Sequence, residues 1–172
     1  MSFQSQLVET LAAALPGKLS LPGSDLYVAS NDSYFSAFEA DLKPSCIAYP
    51  TTVDDVATVI KALRPALSKG ETGVAAIRGG GNMAWQGSAN VDGGVTIDLR
   101  GLKGVQLSPD RKTVSIAAGE TWGSVYETLE KGGLIVAGGR VNRLGAVGFL
   151  LGGWFTRFFI QPCVIYFVDD ND

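Results

Sequence analysis

Apolar residues recur every fourth position at the start of the chain. Phe3, Leu7, Leu11 and Leu15 share one stripe and predict a core-facing helix that Pro16-Gly17 ends. A turn at Pro22-Gly23-Ser24-Asp25 leads into a mixed stretch, residues 27–38, with Tyr34, Phe35 and Phe38 as its packing aromatics. Residues 46–49 read as a short strand stopped by Pro50. A helix follows, capped by Thr52, with Asp54 and Asp55 at its positive end and Val53, Val56, Val59, Ile60 and Leu63 on its buried face. Pro65 is the expected stop. Residues 74–77 form the next strand, which completes a β-α-β unit.

Further along, residues 95–99 alternate with period two, and residues 105–107 and 113–116 flank a hairpin-type turn at Ser108-Pro109-Asp110. Thr121 caps another helix, whose buried side is Trp122, Val125 and Leu129 and whose end is Gly132-Gly133. Residues 134–136 read as one more strand. Glycines cluster after these short apolar runs, at residues 79–81, 93–94, 138–139 and 145–153.

The tightest cluster, Arg78-Gly79-Gly80-Gly81-Asn82, closes a strand. Ordering three glycines costs more backbone entropy than ordering any other triplet. Such a run suits a plain strand-ending turn, or a loop whose N–H groups approach a phosphate. No helical period follows it, so it is not a Rossmann fingerprint, and the chain has no Walker A loop.

Composition narrows the chemistry. The 172 residues suit one domain, with 46% hydrophobic and 18% charged residues and 22 glycines, the balance of a loop-rich α/β or α+β protein. The net charge of -3, with no basic run, argues against a nucleic-acid surface. No histidine is present, which removes Ser-His-Asp and Cys-His catalysis and His-ligated zinc. Cys46 and Cys163 make neither a disulfide framework nor a metal site. The N-terminus does not read as a signal peptide, which points to a cytoplasmic protein, and no segment is long enough to span a bilayer.

Several motifs, in order, resemble one family. Pro44-Ser45-Cys46-Ile47 with Pro50-Thr51-Thr52-Val53-Asp54-Asp55-Val56, Arg78-Gly79-Gly80-Gly81-Asn82 with Trp85-Gln86-Gly87, Asp92-Gly93-Gly94-Val95-Thr96-Ile97-Asp98-Leu99, Gly119-Glu120-Thr121-Trp122 and Gly138-Gly139-Arg140-Val141 are similar to the PCMH-type FAD-binding domain of vanillyl-alcohol-oxidase and berberine-bridge-enzyme-like oxidoreductases of fungi. The likeness covers residues 25–153, after an N-terminal helix and linker at residues 1–24 and before a divergent tail at residues 154–172.

The resemblance implies an α+β fold of two small subdomains with FAD between them. It assigns the pyrophosphate loop to Arg78, Gly79, Gly80, Gly81, Asn82, Met83 and Gly87. It assigns a second flavin-contacting loop to Gly138, Gly139, Arg140, Val141, Gly145 and Gly148. Many members carry a histidine that bonds to the flavin where this chain has Asn82, and some add a cysteine near Val141. The expected cofactor is therefore a non-covalently held FAD, accepting hydride from a small-molecule substrate.

Residue by residue, Asn82 is a flavin or phosphate contact or a turn former. Arg78 is a phosphate counter-charge or a surface ion pair. Trp85 reads as packing, Asp98 as a turn cap, Cys46 as a buried thiol. The family is longer than this chain and carries its catalytic base in a separate substrate domain. That leaves a second reading, a remnant or binding module of a truncated gene without its own activity. For the tail the sequence offers a frameshift or retained intron, or a final strand at residues 164–168. It supplies no catalytic residue, substrate or oligomeric state.

Overall fold

The computed structural model describes residues 3–153 and the two-residue strand at 165–166. Its first layer follows from the early apolar stripe. Helix α1 (Phe3–Ala14) buries Leu7 and Leu11, with Leu15 buried just beyond its end. β1 (Leu19–Ser20) pairs antiparallel with β2 (Cys46–Ala48). Helix α4 (Val53–Ser68) starts at a reciprocal capping box: Asp55 N–H donates to the Thr52 hydroxyl, and Thr52 N–H donates to the Asp55 carboxylate. The chain returns as β3 (Ala75–Arg78), which lies parallel to β4 (Val95–Asp98), and the sheet order is β1-β2-β4-β3. Leu7, Leu11, Leu15, Val59, Leu63, Val95 and Ile97 close one core between this sheet and the packed helices α1 and α4. Each such side chain contributes roughly 1.5–3 kcal/mol.

Alternation along β4 sends Thr96 and Asp98 to the opposite face from Val95 and Ile97. That face is buried too, yet its cover is polar. Two short helices, α2 (Asp25–Asn31) and α3 (Ala37–Ala40), lie in the segment that supplies it. Asn90 receives a hydrogen bond from the Thr96 hydroxyl and donates to the Asn31 side chain and the Glu39 carbonyl.

The second layer begins where Asp98 accepts from Arg100 N–H at a tight turn. β5 (Val105–Leu107) and β6 (Val114–Ile116) form the expected hairpin, and β7 (Ile165–Tyr166) adds to β6 in parallel. Residues 165–166 thus fall in the stretch read as a final strand, whereas the other residues of the tail lie outside those described. Helices α5 (Trp122–Glu130) and α6 (Ala146–Leu151) cover a second core of Val114, Ile116, Trp122, Val125, Leu129, Val136, Ala146 and Phe149.

Four expectations are corrected. Pro65 sits inside α4, which continues to Ser68 because Leu63 and Ala66 keep its buried face in register. On that helix Val53 and Ile60 are exposed. Residues 134–136 form no strand: Val136 is buried, Ile135 is exposed, and Leu134 N–H folds back to the Leu129 carbonyl. Phe35, Phe38 and Trp85 are not packing residues, being 76%, 66% and 78% exposed, whereas Tyr34 is buried. Among the described residues no helix is long and apolar enough to cross a membrane.

Candidate functional site

The site is built where β3 ends. Parallel register sets Arg78 beside Asp98, on the polar face of the sheet. Arg78 is fully buried, not the surface residue that one sequence reading allowed. Its Nη1 donates to the Ser30 carbonyl at 2.7 Å and its Nη2 to the Ser33 hydroxyl at 3.0 Å, and the guanidinium lies 3.7 Å from the centre of the Tyr34 ring. Arg100 takes the adjacent carboxylate, donating from Nε and Nη2 to Asp98. Burial, followed by the neighbouring Arg100 charge, lowers the pKa of Arg78.

Beyond Arg78 the three glycines serve different ends. Around Gly79 there is open space where a Cβ would point. A Cβ on Gly80 would lie 2.5 Å from the Gly145 nitrogen, so the two glycine-rich loops touch backbone to backbone there. Gly81 takes a φ of 69°, which favours glycine, and a Cβ on it would meet the Arg78 guanidinium at 2.8 Å. The loop is then held by its carbonyls and by its far end. Phe35 N–H donates to the Gly81 carbonyl and the Ser36 hydroxyl to the Ala84 carbonyl. The buried Glu39 carboxylate accepts from Gly87 N–H at 3.1 Å and Ala89 N–H at 2.8 Å. Tyr34 donates its hydroxyl to the Ala89 carbonyl. Among the described residues, nothing accepts a hydrogen bond from the N–H groups of Gly80, Gly81, Asn82, Met83 or Ala84.

The second loop is held differently. Cβ atoms on Gly138 and Gly139 would fall 2.2 Å and 2.5 Å from the Trp122 ring, so both glycines are required by the indole. Trp122 is fully buried, stacked on Tyr126 and edge-on to Phe149, and its indole N–H has no partner among the described residues. The Tyr126 hydroxyl donates to the Gly139 carbonyl. Arg140 and Val141 are exposed, Gly145 meets Gly80, and Gly148 lies in α6 facing open space.

Of the residues singled out in the sequence, the fold brings Arg78, Gly80, Gly81 and Gly145 together. Asn82 and Met83 follow directly on the same loop. No described contact joins Gly138, Gly139, Arg140 or Val141 to the first loop, and the Gly87 amide is already bonded to Glu39. Sequence reasoning missed Ser30, Ser33, Ser36 and Glu39. For Ser30 the signal was the cap at Ser24, which accepts from Tyr27 N–H and opens α2. The helix went unread because its buried positions are Tyr27, Ser30 and Asn31, while Leu26 and Val28 are exposed.

A comparison with known families matches residues 44–159, more than half of the chain, to a model described as an FAD binding domain. The chain belongs to that family. Relatives of the FAD-binding domain include the FAD-dependent monooxygenase sdcF of Emericella nidulans, 36% identical over 143 residues, covering 83% of this chain and 29% of that protein. The FAD-dependent monooxygenase drtC of Aspergillus calidoustus is 36% identical over 150 residues, covering 87% and 28%. Among solved structures, wild-type BBE-like 1 of Physcomitrella patens matches with a TM-score of 0.64 at 22% identity, over 84% of this chain and 29% of that one. The FAD-binding domain described here therefore has the α+β PCMH-type fold, and it spans less than a third of the length of these proteins. FAD is the cofactor of the family, and the loop fits it on its own geometry: five consecutive amides without acceptors, an open Gly79 and a buried cation behind Gly81 match a diphosphate.

Proposed function

We propose that this chain is the FAD-holding part of a flavin-dependent oxidoreductase, with the flavin bound non-covalently. The unclaimed amides of residues 80–84, beside the open Gly79, carry this reading. Backbone N–H groups there would bind the diphosphate oxygens, and Gly79 leaves room for them. Asn82 stands in the middle of that row, and its carboxamide can hydrogen-bond to the cofactor but offers no nucleophile for a covalent link. The chain has no histidine to supply one. Cys46 is fully buried in the first core, and burial pushes its thiol up to about 12. From the second loop, Arg140 and Val141 would face the cofactor, together with Gly138, Gly139, Gly145 and Gly148. When bound, FAD supplies an acceptor for hydride from a small-molecule substrate.

The matched family model describes an FAD binding domain. A second reading is that these residues bind FAD without turning over a substrate by themselves. One experiment separates the readings. The purified chain is reconstituted with FAD, and its visible spectrum is recorded before and after acid precipitation. Flavin absorbance on the protein that passes into the supernatant supports non-covalent binding. Flavin in the pellet contradicts the role of Asn82, and no uptake contradicts the cofactor assignment for this chain. Turnover of a substrate by the reconstituted chain would remove the second reading.

A further inference from the structure

Arg78 is a cation without a carboxylate of its own. It is fully buried, and among the described residues no acid lies within ion-pair distance of it. Asp98 is committed to Arg100, which approaches one of its oxygens at 2.6 Å. Arg78 instead rests on neutral acceptors, the Ser30 carbonyl and the Ser30 and Ser33 hydroxyls, and on the face of Tyr34. Its Nε has no partner among the described residues. A buried charge with no counter-ion is costly and is normally paired. Here the surplus sits directly behind Gly81, because a Cβ on that glycine would strike Nε and Nη2. The opposite end of the loop has the other sign: Glu39 spends both carboxylate oxygens on the amides of Gly87 and Ala89.

We infer that Arg78 is a positioning residue that supplies a buried positive field behind the amides of residues 80–84, drawing a diphosphate to the glycine end of the loop without touching it. The inference rests on the FAD-binding reading above. Two features make the role electrostatic. The guanidinium is separated from the open side by the backbone of Gly81, so its charge acts through the loop. Its loss leaves Asp98 and Arg100 as a neutral pair, so the site closes without a stranded carboxylate. The polarity of the loop also sets direction: cation at Gly81, carboxylate at Gly87.

The test is a ligand series of decreasing phosphate charge. FAD, FMN and riboflavin are titrated into the wild-type chain, Arg78→Met and Arg78→Lys, and far-ultraviolet circular dichroism and thermal unfolding verify the fold of each. Arg78→Met should weaken FAD at least about tenfold, FMN less, and riboflavin less than about twofold. It should also flatten the salt dependence of FAD binding, whereas Arg78→Lys should retain most of the dependence on phosphate. An equal loss for all three ligands, or an unchanged affinity for FAD, overturns the inference. A wild-type chain that takes up no FAD overturns the proposed function. The inference is then read from inorganic pyrophosphate, which should raise the unfolding temperature of wild type but not of Arg78→Met; equal or absent stabilisation overturns it.

Discussion

Glycine serves two purposes in the two loops that meet at Gly80 and Gly145. At residues 138–139 it makes room for protein: the Trp122 ring fills the space where side chains would stand. At Gly79 the same residue faces open space, and the loop around it is held by polar groups. At residues 138–139 a core needs the glycine. In the first loop Gly80 and Gly81 are required by Gly145 and Arg78, and at Gly79 nothing of the protein requires it. A glycine count alone therefore does not mark a ligand site; what stands opposite each missing Cβ does.

The contrast can be broken at its apolar end first. Trp122→Ala removes the largest fully buried side chain among the described residues and leaves Gly138 and Gly139 facing a void. It should destabilise the chain by about 3–5 kcal/mol in denaturant unfolding. A loss near 1 kcal/mol would show that the second loop is not organised by the indole. At the polar end, Glu39→Ala strips the amides of Gly87 and Ala89 of their acceptor. The cost should be about 1–3 kcal/mol for each amide kept from water, with hydrogen exchange quickening at both. Unchanged exchange there would mean that the carboxylate does not hold the loop.

Smaller effects sharpen the same comparison. Gly138→Ala should cost about 1–3 kcal/mol by overpacking against Trp122. Gly79→Ala, with nothing in its way, should alter stability by less than about 0.5 kcal/mol. If both cost the same, the two loops do not differ as described. Asp55 supplies a pH-dependent term. Burial acts to raise its pKa, but bonds from Lys18, Thr51 and Thr52 outweigh it and hold the carboxyl well below the usual range. A lowered folded-state pKa means stability that is present above the ordinary carboxylate pKa and lost as pH falls through the folded one. Asp55→Ala should cost about 1 kcal/mol at neutral pH, and the gap from wild type should close in acid. A gap that stays constant with pH would refute the linkage.

The apolar architecture was legible in the sequence, because its signals are periodic. The stripe through Leu7, Leu11 and Leu15, the cap at Thr52, and the buried side of α5 all form where the pattern puts them. So does the glycine loop at the end of β3. The scaffold behind that loop was not legible. It is made of Ser30, Asn31 and Glu39, buried residues whose types predict exposure. They are contributed by α2 and α3, on which the large apolar residues Leu26, Val28 and Phe38 are exposed. Trp85 shows the same inversion from the other side, a large aromatic on the site loop that packs against little. What the pattern cannot convey is a polar interior, since it is specified by pairing in three dimensions and not by period.

The most direct measurement follows the backbone amides themselves. The chain, uniformly labelled with nitrogen-15, is titrated with FAD and its amide resonances are tracked. The largest shifts should fall on Gly79, Gly80, Gly81, Asn82, Met83 and Ala84, with Gly87 and Ala89, already bonded to Glu39, moving little. Saturating FAD that leaves the resonances of residues 79–84 in place, while shifting others, would contradict the account of this loop as the phosphate cradle.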